Sequence, residues 1–136
     1  MNIQLADIWI AAGVLLGFQV TSFAWRASRE VAVGKTGDLT WLPPADFVNL
    51  TSMIVTVVGV FVLPILSLAD TNFMKYSFGL AVLLFVGYPF ALAGHYDMYN
   101  NKTPRSYAYF PFQEKVVVVI IGVLTIIYVI VAVIWR

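Results

Sequence analysis

The sequence predicts an all-α fold: a polytopic integral membrane protein with four transmembrane helices in an antiparallel bundle. Two observations carry this reading. Four long uncharged stretches run from Ile8 to Trp25, Phe47 to Ala69, Tyr76 to Gly94 and Val116 to Trp135. Each is long enough to cross a hydrocarbon core about 30 Å thick, which takes a helix of roughly 20 residues. In addition, 61% of the residues are hydrophobic and only 11% are charged, against about 25% charged in a soluble domain. The bilayer is therefore the main solvent, and a spanning chain must pair its backbone groups internally, as helices do. The spans are expected at about 3–25, 45–69, 74–96 and 115–135 of a single domain, 1–136.

The first span carries Asp7 in its opening turns, where a negative charge suits the positive end of the helix dipole. A cleaved signal peptide would open on basic residues and have a shorter apolar region. Here the first basic residue is Arg26, so the segment reads as a span although Ser22-Phe23-Ala24 loosely resembles a cleavage site. The connection that follows holds Gly34, Gly37 and Pro43-Pro44, and the prolines stop any continuation. Gly34-Lys35-Thr36 resembles the end of a phosphate-binding loop. That motif needs a glycine where Arg29 stands and a strand before it, so it is rejected.

Pro44 fits the first turn of the second span and Asp46 follows it. The short connection around Asp70, Thr71 and Asn72 makes spans two and three antiparallel neighbours. Pro89 in the third span is expected to bend it and free a carbonyl one turn back. The fourth span is rich in valine and isoleucine, which suits strands, but its unbroken length decides for a helix. The polar stretches Arg26 to Asp46 and His95 to Lys115 are too short to bury cores of their own. The two halves do not repeat one another, so an inverted-repeat transporter is not supported.

Charge sets an expected orientation. Arg26, Arg29, Lys35, Lys102, Arg105 and Lys115 lie in the two longer connections, against Lys75 and Arg136 on the other face. The positive-inside rule then places both connections in the cytoplasm and both termini outside. Trp9, Trp25, Tyr76, Tyr96 and Trp135 stand near span ends, where amphipathic rings prefer the interface. With that orientation the sequons at Asn49 and Asn101 should stay unglycosylated. The net charge of +1 gives no sign of nucleic acid as a partner.

Small and polar residues form stripes at helical spacing. Asn49, Ser52, Thr56 and Gly59 share a face of the second span, and Gly13, Gly17, Thr21 and Ala24 share one of the first. The third span offers Gly87, Ala91 and Gly94; the fourth offers Gly122, Thr125 and Ala132. Small residues let helices approach closely in lipid, and hydroxyls and amides bond across the gap, so these stripes are expected to be packing seams. A second reading uses depth: Gln19, Asn49, Ser52, His95 and Glu114 are expected at similar levels and could line a polar vestibule open to the cytoplasm.

His95 is the one histidine and the chain has no cysteine. A lone histidine is a poor metal set, so no metal and no cofactor are expected. Arg26, Arg29 and Lys35 could add contact with anionic lipid. Tyr99, Tyr107, Tyr109, Phe110 and Phe112, interleaved with Lys102 and Arg105, suit either partner docking or the headgroup belt.

No catalytic motif stands out. The expected function is that of a small non-catalytic integral membrane protein, a subunit or packing partner in a membrane complex or homo-oligomer. Its expected partners are the lipid bilayer and other membrane proteins or copies of itself. The alternatives are an oligomeric channel or carrier for an ion or small solute, and an intramembrane enzyme built on His95 with Glu114 or Asp97.

Overall fold

The computed structural model describes residues 4–34, 42–100 and 109–134. Lys35, Thr36, Gly37, Asn101, Lys102, Arg105, Tyr107, Trp135 and Arg136, all named above, lie outside the described residues. The described regular structure is entirely helical, in four helices long and apolar enough to cross a membrane: α1 Leu5–Gly34, α2 Pro44–Ile65, α3 Thr71–His95 and α4 Phe112–Ile134.

Helix α1 runs well past Trp25, where the sequence suggested an end. Arg26 and Glu30 pair at 3.2 Å across one turn and are buried, so these charges continue the helix instead of stopping it. At 1.5 Å per residue its 30 residues reach about 45 Å, longer than the hydrocarbon core.

Helix α2 opens on Pro43 and Pro44, whose missing N–H groups cost nothing in a first turn. Residues Val55–Val62 adopt a wider π-helical turn, and Gly59 within it lies against Ser77 of α3. A Cβ at position 59 would stand 2.5 Å from Ser77 Oγ. Pro64 has no N–H for the Val60 carbonyl four residues back, and Trp9 Nε1 of α1 donates to that carbonyl at 3.0 Å. The helix stops at Ile65, short of the expected Ala69. Ser67 turns left-handed (φ 58°), with Leu68 N–H on Leu63 O and Ser67 N–H on Pro64 O. This is the 6→1 and 5→2 pattern of a Schellman stop.

Helix α3 begins ahead of its expected start because Asp70 Oδ1 accepts from Phe73 N–H at 2.7 Å. It continues through Pro89 and closes with the same stop as α2: Asp97 at φ 53°, with Met98 N–H on Ala93 O. Helix α4 starts directly after Pro111, whose carbonyl takes Lys115 N–H.

Helices α2 and α3 form the centre, α1 flanks α2, and α4 flanks α3 with a smaller contact to α2. Lipid supplies no hydrophobic force between helices, so close fit has to hold them. The α3–α4 seam is lined by glycines of α3. A Cβ on Gly87 would stand 2.8 Å from Ile121, one on Gly94 2.8 Å from Glu114 N, and one on Gly79 would overlap the Tyr128 hydroxyl. Tyr128 also donates to Tyr76 O at 2.9 Å. Outside this seam α4 faces outward: 6% of its most apolar stretch is buried, against 33% in α2 and α3.

The core divides along the bundle. Near the termini it is apolar, with Ile8, Ala12, Val60 and Met74 packed on Trp9, Phe61 and Phe78. Toward the two longer connections it turns polar and ionisable, beside an apolar wall of Ala45, Val48, Leu84, Tyr88, Ala91 and Ile121.

Candidate functional site: a buried polar clasp

The inner face of α2 carries a polar ladder. The spacing of Asp46, Asn49, Ser52 and Thr56 keeps all four on one side of the helix, and all are buried. Gln19 enters from α1: its Nε2 donates to Ser52 Oγ at 2.6 Å and to Thr56 Oγ1 at 3.2 Å. Asn49 Nδ2 donates back to the Gln19 carbonyl at 3.0 Å. Ser52 Oγ donates to Ala81 O of α3 at 2.6 Å, and Thr56 Oγ1 to Ser52 O at 2.9 Å. This network stitches α1, α2 and α3 at mid-depth. Gln19 Oε1 and Asn49 Oδ1 are left without partners, each at about 1–3 kcal/mol when buried.

A second group closes the end near the connections, and every helix contributes to it. Glu114 of α4 is fully buried; its Oε1 accepts from Ala45 N–H at 2.7 Å and its Oε2 lies 2.9 Å from His95 Nδ1. Because Pro44 has no N–H, Ala45 is the first donor of α2, and Glu114 caps that helix from another one. Arg26 of α1 reaches Glu30 at 3.2 Å and Asp46 at 3.6 Å. Tyr96 of α3 donates to Glu30 at 2.9 Å, and Tyr88 of α3 approaches Asp46 at 3.5 Å. Arg29 stacks over the Tyr96 ring at 4.3 Å. Removing one partner from such a buried pair costs about 3–5 kcal/mol. A membrane interhelical hydrogen bond averages about 0.6 kcal/mol, so losing one partner of the clasp, which strands a buried charge, costs more than losing one bond of the ladder.

The residues named from sequence thus fall in two groups. Gln19, Asn49, Ser52 and Glu114 are fully buried and His95 nearly so. Apolar grooves lie elsewhere: one of about 400 Å3 runs between α2, α3 and α4 past Leu63, Phe73 and Tyr128, and one of about 500 Å3 lies between α3 and α4 past Phe90 and Ile121, and Gln19, Asn49, His95 and Glu114 line neither. Among the described residues no cluster of three His, Cys, Asp or Glu side chains could hold a metal ion.

The packing stripes divide as well. Asn49, Ser52, Thr56 and Gly59 face neighbours inside the chain. Gly13, Gly17 and Gly122 do not: a Cβ on any of them would meet nothing within 4 Å. They stand on outer faces, so they are not seams of this bundle. Thr125 borders a groove with Pro44 and Phe47, and its hydroxyl is unpaired.

Of the aromatic segment, Tyr99 and Tyr109 spend their hydroxyls on Phe90 O and Leu42 O, at 2.8 and 2.9 Å. Phe110 stacks with Lys115 at 5.5 Å, and Phe112 is 78% exposed.

Sequence reasoning offered Arg26 as a contact for anionic lipid and did not select Asp46 or Tyr88 as site residues. Arg26 is 3% exposed and paired with two carboxylates, so it is not a lipid contact. The usable signals were Arg26 and Glu30 one turn apart, and Asp46 three residues before Asn49 on the polar face.

Compared with protein-family models, with curated proteins and with solved structures, the chain matches none.

Proposed function

We propose that this chain is a non-catalytic multi-pass membrane subunit, held together from inside by its clasp and working through its outer faces. It packs against a larger membrane complex or against copies of itself. The observation that carries the reading is the outward placement of Gly13, Gly17 and Gly122, with open space where side chains would stand. Glycines spaced four apart admit close approach of another helix, and α1 and α4, which carry them, are the least buried spans. Phe112 adds an exposed aromatic at the end where the connections lie. The charge bias supports an orientation with that end in the cytoplasm and both termini outside.

The channel alternative draws less support. The ladder's donors are spent within one chain, and the Ile8, Ala12, Val60 and Met74 layer lies beyond it. Turnover at His95 draws less support, since its partner Glu114 is fully buried and spends its other oxygen on Ala45 N–H.

The test is a Gly13→Leu, Gly17→Leu double variant in the native membrane. It should melt like the parent, since no neighbour in the chain is displaced. Retention of its membrane partners or of its oligomer should fall at least tenfold, about 1.4 kcal/mol. Full retention would count against the reading.

A further inference from the structure

Helix α4 packs against α2 along Pro44–Ile54. Beyond that point the π-helical part of α2 and the C-terminal half of α4 both lean on α3, and the groove of about 400 Å3 lies between them. Val55, Val58 and Leu63 of α2, Phe73 and Leu80 of α3 and Val129 of α4 give it apolar walls. Val55 and Val58 belong to the π-helical turn, a backbone form that recurs at functional sites.

Two hydroxyls line the groove as well, those of Tyr128 and Ser77. Tyr128 spends its hydrogen on Tyr76 O. Ser77 is 8% exposed, and its hydroxyl has no hydrogen-bond partner among the described residues. A hydroxyl in a helix can turn its hydrogen onto the carbonyl four residues back, as Thr56 does on Ser52 O. Ser77 does not. The bilayer core supplies no water to take that hydrogen, so it is left for whatever enters the groove.

Size and depth decide what that is. From Phe73 to Leu80 α3 rises about 10 Å, so the groove averages roughly 40 Å2 in section over that length. A helix at least 10 Å across needs roughly 80 Å2, so a helix of another copy or another protein does not fit. A hydrocarbon chain, one methylene thick, does. Ser77 stands six residues, about 9 Å, from Thr71, where α3 starts, and next to Tyr76, whose ring suits the interfacial level. Near that depth the fatty chains of a glycerolipid join their ester carbonyls, which accept hydrogen bonds and give none.

We propose that this groove holds one acyl chain of a membrane glycerolipid, with Ser77 Oγ donating to the ester carbonyl. The chain runs from there past Leu80 and Val55 toward the bilayer centre. No lysine or arginine stands among the described lining residues, so the site selects for the ester and the chain and not for headgroup charge. It is separate from the outer glycines of the proposed function, and neither reading depends on the other.

The test uses the full chain, purified in mild detergent and placed in nanodiscs of either a diacyl phosphatidylcholine or its diether analogue, which lacks the ester carbonyls. After re-extraction, native mass spectrometry counts the lipids each chain keeps. The parent should keep one diacyl lipid and about threefold less of the diether form, the size of one average interhelical hydrogen bond in a membrane. Ser77→Ala should lower retention of the diacyl lipid about threefold and leave the diether lipid unchanged, because both losses are the same bond. Val129→Trp, which fills the groove from the exposed side of α4, should keep the fold and lose the lipid at least tenfold. No lipid kept by the parent, equal retention of ester and ether forms, an ester preference that survives Ser77→Ala, or undiminished retention by Val129→Trp each overturns the proposal. Should a variant fail to fold, the ester and ether comparison on the parent decides alone.

Discussion

Glycines in this chain do two different jobs, and what a Cβ would touch separates them. At Gly94 it would meet the backbone of Glu114 at 2.8 Å and of Gln113 at 2.9 Å, and backbone cannot swing aside. At Gly122 it would meet nothing. Gly94→Ala should therefore destabilise the folded chain by about 1–3 kcal/mol, the usual range for overpacking, whereas Gly122→Ala should be neutral or slightly stabilising through its better helix propensity. Unfolding of both variants in detergent, side by side, checks this. Gly94→Ala should also loosen the clasp, because the residue it would push is the one that caps α2 and meets His95.

At the level of helices, the sequence was most informative where composition alone decides and least where pairing decides. Length and hydropathy located all four spans. Their ends moved because caps override composition: Asp70 starts α3 early, while the left-handed Ser67 stops α2 early. The extra length of α1 was hidden because Arg26 and Glu30 look like headgroup residues until their buried partners are known. Ser67 gives a prediction of its own. A left-handed residue with a Cβ carries a cost of about 1–2 kcal/mol that glycine avoids. Ser67 is exposed and its side chain makes no bond, so Ser67→Gly should stabilise by about 0.5–1 kcal/mol, read as a higher melting midpoint. A lower midpoint would mean that the Ser67 side chain does something other than tolerate its turn.

For the whole molecule, the division of labour between inside and outside is the central claim. The clasp joins α1 to α2 and α3, and α4 to α2 and α3, through Arg26, Glu30, Asp46, Tyr88, Tyr96, His95 and Glu114. These contacts bring together residues far apart in the chain, which is why helical spacing revealed the ladder on α2 but not the clasp. Each helix is thus tied to at least two others within the chain. Its outer faces, rich in apolar side chains and open at three glycines, are the surfaces that the proposed function would use. The most direct measurement is extraction from the native membrane in mild detergent, followed by native mass spectrometry. The account predicts that the chain emerges at fixed stoichiometry with other membrane proteins or with copies of itself. Emergence as a single chain carrying only lipid would contradict it.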